Sequence, residues 1–279
     1  FQKALLDAFR KAQGEAPWET VEAAFALDDL ADAWPSAQRI DPAGLPAPEN
    51  TLRAIEWMNK ITRADYQARF LDFARQRLPA DWIPLYVRAM ASGAAEVRNK
   101  AWEALASSDR PDDVRRECEW FIADPAREPE VFFRLVHAET LAERKLGLNL
   151  DGVYCMKRML ELADRNRLDA KVDKDKQARE AWPRMKQVLQ DQKFLSALLA
   201  NAGMEECRSL HVLLLSLRYL DQSIFDVLEK TITSLHPDAI KEQKEEKREE
   251  IFVTAAGLRR RRMEYEHLVN VELPQNARD

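Results

Sequence analysis

Apolar residues recur along this chain at spacings of three and four, the signature of helices with one buried face. Phe1, Leu5, Leu6 and Phe9 make a first such face. Trp18, Val21, Ala24, Phe25, Leu27 and Leu30 make a second, which Pro35 closes. These two helices predict a small N-terminal hairpin over residues 1–40. Pro42, Gly44, Pro46 and Pro48 then crowd into one short stretch, which reads as a loop or linker. From Glu49 the pattern becomes regular. Leu52, Ile55, Trp57 and Met58 share one helix, and Tyr66, Phe70, Phe73 and Leu78 the next. Pro79 opens a third with Trp82, Leu85, Val87 and Met90. Gly93, Pro111 and Pro129 punctuate the later helices, the last of them carrying Val131, Phe132, Leu135 and Val136.

The second half continues in the same period. Lys171 to Lys176 is polar and reads as a solvated turn or helix start, and an apolar stretch from Leu195 to Ala202 comes after it. Leu210 to Leu217 is apolar nearly all round, which predicts the most buried helix of this half, with Leu213 and Leu214 both in the core. Ile224, Val227, Leu228, Ile232 and Leu235 form its partner, stopped at His236-Pro237. Units of similar length separated by Pro or Gly predict an all-α fold. Its antiparallel helix pairs would stack as an irregular HEAT- or TPR-like solenoid or a multi-helix bundle over residues 49–240. Val97, Arg98, Ala101 and Leu105 resemble the second helix of a HEAT repeat, but ordinary amphipathic helix has the same spacing and no strict repeat period runs through the chain. Between Lys241 and Glu250 there is no apolar side chain to bury, so 241–250 reads as a charged linker or exposed helix. The short β-like run Ile251-Phe252-Val253-Thr254 comes next.

Composition narrows the function classes. Seven glycines in 279 residues are few for a protein built on sheet turns or phosphate-binding loops. A net charge of −5 argues against a general nucleic-acid binder. Cys118, Cys155 and Cys207 are odd in number and none forms a CxxC, so they read as small buried hydrophobes in a reducing cytoplasm. No apolar run approaches the roughly 20 residues needed to span a bilayer. The chain begins at Phe1 without a signal-peptide pattern and stops at Asp279 within a helical pattern, as a fragment of a longer protein does.

Catalytic motifs are missing: no GxGxxG, P-loop, HExxH or GxSxG occurs. His137, His211, His236 and His267 stand at no metal-ligand spacing from one another, and His137 and His211 lie on apolar helix faces, where satisfied histidines are common. The expectation is a non-enzyme with no cofactor and no small-molecule substrate. Seven tryptophans (18, 34, 57, 82, 102, 120 and 182) sit among helical apolar positions; they anchor the core or line a peptide-binding groove. Arg259, Arg260, Arg261 and Arg262 are the densest positive feature, placed for a solvated helix surface or for contact with RNA or a polymerase.

Val253-Thr254-Ala255-Ala256-Gly257-Leu258, then Glu264-Tyr265-Glu266-His267-Leu268-Val269-Asn270-Val271-Glu272-Leu273-Pro274, resembles the N-terminal coiled-coil entry of the GreA/GreB family of transcript-cleavage elongation factors. That entry reads Thr-x-x-Gly, then a helix with Glu-Leu-x-x-Leu-x-x-Val, then proline; Thr254, Gly257, Glu264, Leu268, Val271 and Pro274 fit it without a gap. Thr254 is also a good N-cap, and Leu258, Tyr265, Leu268 and Val271 could form one apolar seam. Arg261 stands where the family has a seam residue, and Leu273 replaces the common arginine before the proline. The resemblance implies that residues 251–279 begin a Gre-like coiled coil whose acidic, magnesium-holding tip would come after Asp279. The preceding residues would form a helical extension docking on bacterial RNA polymerase or an associated protein, with RNA contact confined to the coiled-coil start. The alternative is a general HEAT- or TPR-like scaffold for peptides or proteins.

Overall fold

A computed structural model describes residues 50–61, 63–78, 82–172 and 176–240, and these residues are all-helical. The expected hairpin over 1–40, the linker 241–250 and the coiled-coil start 251–279 lie outside the described residues. The described helices group into two compact units. The first holds five helices, α1–α5, together with residues 143–148, and the second holds the remaining six, α6–α11.

In the first unit, α1 (Thr51–Lys60), α2 (Ala64–Arg77), α4 (Ala95–Ala106) and α5 (Pro111–Ala123) all pack against α3 (Trp82–Ala89). The reason lies in the sequence of α3. Trp82, Ile83, Leu85, Tyr86, Val87 and Ala89 are all buried, so α3 offers apolar surface to each of its four neighbours. Its one buried hydroxyl is satisfied, because Tyr86 donates to the Leu71 carbonyl at 2.8 Å. Burial raises that phenol's pKa well above its ordinary value, so it stays a donor. Asn50 caps α1 by accepting from the Arg53 amide at 3.0 Å, and Pro111 opens α5 at a position where no backbone donor is needed.

Residues 143–148 return to the first unit after α6 has been made. The Trp102 indole donates to the Arg144 carbonyl at 3.0 Å, and Leu146 and Leu148 are buried. Gly147 makes the bend at φ +76°, a conformation that side-chain-bearing residues rarely adopt.

The second unit contains α6 (Pro129–Leu141), α7 (Gly152–Lys171), α8 (Lys176–Leu189), α9 (Gln192–Leu198), α10 (Met204–Ser216) and α11 (Gln222–Leu235). The α7–α8 pair is its most extensive packing, and α6, α9, α10 and α11 pack around that pair. Val131, Phe132, Phe133, Leu135 and Val136 bury one side of α6, as the periodicity predicts. The stretch expected from Leu195 to Ala202 is shorter as a helix, because α9 ends at Leu198 and a turn carries the chain to Gly203.

The expectation for α10 needs correction. Cys207, Leu210, His211 and Leu214 are buried, but Val212 is 50% exposed and Leu213 and Leu215 are half-buried. An apolar run all round a helix therefore does not bury it all round here; α10 sits on the outside of its unit with one face in solvent.

Candidate functional site

Two polar clusters of the second unit centre on carboxylates at helix starts, Asp191 and Asp221. Asp191 begins α9 as its N-cap, with its carboxylate accepting from the Phe194 amide at 3.1 Å. The other carboxylate oxygen lies 3.1 Å from Nε2 of His137, 54 residues earlier on α6. The imidazole also meets the Phe194 ring, 5.0 Å between centroids. Burial pushes the Asp191 carboxyl up, but the amides of Phe194 and Lys193 and the His137 ring outweigh it and hold the carboxyl below its ordinary range. This arrangement ties α6 to the start of α9. One carboxylate serves as cap and histidine partner together, which leaves it committed to structure.

A second polar cluster fixes the turn before α11. Asp221 receives Lys186 of α8 at 2.9 Å and Arg167 of α7 at 3.3 Å, and Asp164 of α7 accepts the Tyr219 amide at 2.5 Å. Arg184 of α8 grips Glu130 of α6 with two parallel bonds of 2.5 and 2.8 Å, and that grip raises its pKa further. His211 is buried, with Nε2 3.7 Å from Glu229. Lys186, Arg167 and Arg184, with their carboxylate partners Asp221 and Glu130, are all engaged within the one unit. Among the described residues, no group of three or more His, Cys, Asp and Glu side chains could hold a metal ion.

The cysteines are buried, and burial together with Asp151 pushes the Cys155 thiol up to about 12, far from a reactive thiolate.

The tryptophans separate the two readings the sequence left open. Trp57, Trp82, Trp102 and Trp182 are core residues. Trp120 differs, because it is 44% exposed on the outer face of α5, edge-on to the buried Phe121 ring at 4.8 Å. It shares that face with the exposed Arg116 and Glu119. Trp18, Trp34 and the run Arg259, Arg260, Arg261 and Arg262 lie outside the described residues. Asp191 was legible as a cap, since an acidic residue directly before an apolar-periodic stretch is an N-cap signal. His137 as its partner was not legible, because nothing local marks a contact 54 residues away. Comparison of the chain with protein-family models, with curated proteins and with solved structures finds no match.

Proposed function

We propose that this chain is a non-catalytic protein-interaction domain of a Gre-like transcription elongation factor, docking on bacterial RNA polymerase or a protein associated with it. The observation that carries the proposal is the gapless spacing of Thr254, Gly257, Glu264, Leu268, Val271 and Pro274. The helical units that precede this segment support it as a body able to present surface to a partner, with Trp120 as one exposed aromatic anchor. The charge pattern favours a protein partner over a nucleic acid. The net charge is −5, and many arginines are paired locally: Arg115 and Arg116 with Asp112 and Asp113, Arg184 with Glu130. No helix among the described residues is long and apolar enough to cross a membrane. A cytoplasmic location follows from the proposed partner.

Co-elution of the 279-residue chain with purified core RNA polymerase in gel filtration tests the proposal. A shared peak at micromolar concentration is expected. Separate elution across the accessible concentration range, with and without associated factors, would count against it. The second reading, a helical scaffold for peptides, is favoured by Trp120 alone and predicts quenching or a blue shift of tryptophan fluorescence by a bound peptide without polymerase binding.

A further inference from the structure

The end of α11 is not where the chain leaves the second unit. His236, the C-cap residue, donates its backbone amide to the Ile232 carbonyl at 2.8 Å and adopts φ −137° and ψ 83°. A residue before a proline is kept out of the helical region, and this non-helical conformation stops the helix at Leu235. Pro237 then restarts a helical turn over 237–240, closed by the Ala239 amide donating to the His236 carbonyl at 3.0 Å. Two features dock this turn onto the unit. The Ala239 side chain is 0% exposed. The His236 ring lies with Nε2 2.7 Å from the carbonyl oxygen of Ala202, in the turn joining α9 to α10. A carbonyl only accepts, so Nε2 carries the hydrogen and donates it.

We infer that residues 236–240 form a clamp, which grips the α9–α10 turn and fixes the chain to the second unit beyond the end of α11 at Leu235, as far as Ile240. The clamp matters because of the segment downstream of it. On the proposed function, the next residues lead to the Gre-like coiled-coil start, and the clamp holds the chain in place just before them. Residues 236–240 then act as part of that unit. A histidine suits the position. Its ring reaches a carbonyl on a neighbouring turn while its own backbone closes α11, so one residue ends the helix and anchors the turn after it.

Amide hydrogen exchange on the full 279-residue protein tests this without reference to any partner, so failure of the polymerase reading leaves the result unaffected. In the wild-type protein, a peptide covering 236–240 should exchange at least about tenfold slower than the same free peptide, a factor worth about 1.4 kcal/mol of protection. In His236→Ala that protection should fall by about tenfold at 236–240, while α11 up to Ile232 keeps its protection. Ala239→Ser is the milder companion variant, leaving His236 intact and placing a hydroxyl in the buried site; it should loosen the same five residues. Three outcomes would overturn the clamp: free-peptide exchange at 236–240 in the wild type, unchanged exchange in both variants, or loss of protection running back through α11. The last would reduce His236 to an ordinary helix cap.

Discussion

Replacing Gly152 by alanine sets two physical effects of opposite sign against each other. Gly152 is the first residue of α7, directly after the N-cap Asp151. On helix propensity alone, alanine is the better residue by about 0.5–1 kcal/mol, less at a helix end than in its interior. The surroundings say otherwise. A methyl group on Gly152 would sit 2.1 Å from the Leu198 carbonyl oxygen and 3.1 Å from its carbon, at the last residue of α9. Those are backbone atoms and cannot rotate away as a flexible side chain could. Relief requires moving the start of α7 or the end of α9, and both are committed. Asp151 caps α7 through the Tyr154 amide at 2.9 Å, and Leu199, directly after α9, is fully buried. Overpacking of this kind costs about 1–3 kcal/mol, so the net change should be destabilising by about 1–2 kcal/mol after the propensity gain. Urea unfolding followed by far-UV circular dichroism reads the shift in midpoint, and tryptophan emission checks whether the two units melt together. A Gly152→Ala protein as stable as the wild type, or more stable, would refute the close approach of α7 and α9.

Burial and charge set the other expectations. Leu214→Ala should cost about 2–5 kcal/mol and Leu213→Ala about half that or less, since only Leu214 is buried; equal costs in urea melts would restore the reading of α10 as buried on all sides. Asp191 has a folded pKa below its unfolded value, so its stabilisation is present above about pH 4 and is lost as pH falls through the lower folded value. Asp191→Ala should therefore lose about 1 kcal/mol at pH 6 through the missing cap, with the gap to wild type narrowing toward pH 3; a gap independent of pH would show that the ionised carboxylate is not what caps α9.

The helical fold was legible because its signals are local. Pro111 and Pro129 do open helices, His236-Pro237 does end one, and the predicted apolar positions of α6 are buried, as are Ile224, Leu228 and Ile232 of α11, where Val227 and Leu235 are half-buried. Signals that depend on which helices meet were not legible. Nothing in the sequence distinguishes α3, apolar and central, from α10, apolar and peripheral. The difference lies in how many neighbours each helix finds. Nor does it show that residues 143–148 rejoin the first unit, because their anchor is Trp102, 42 residues earlier. Gly152 looks from its sequence like a weak helix start, and only the Leu198 carbonyl explains it. Among the tryptophans, helical position could not separate Trp120 from Trp102, since both lie on amphipathic helices and only the partner helices decide which face is covered.

A protein partner, RNA polymerase, is proposed for the helical units in preference to nucleic acid, on the ground of the net charge of −5. A paired equilibrium titration tests this most directly: the labelled 279-residue chain against core RNA polymerase, and against single-stranded RNA, in one buffer at physiological salt. The expected result is saturable polymerase binding, tighter than RNA binding, and a weak RNA affinity that falls further when Arg259 to Arg262 are reversed in charge. Submicromolar RNA affinity with no detectable polymerase binding would contradict it.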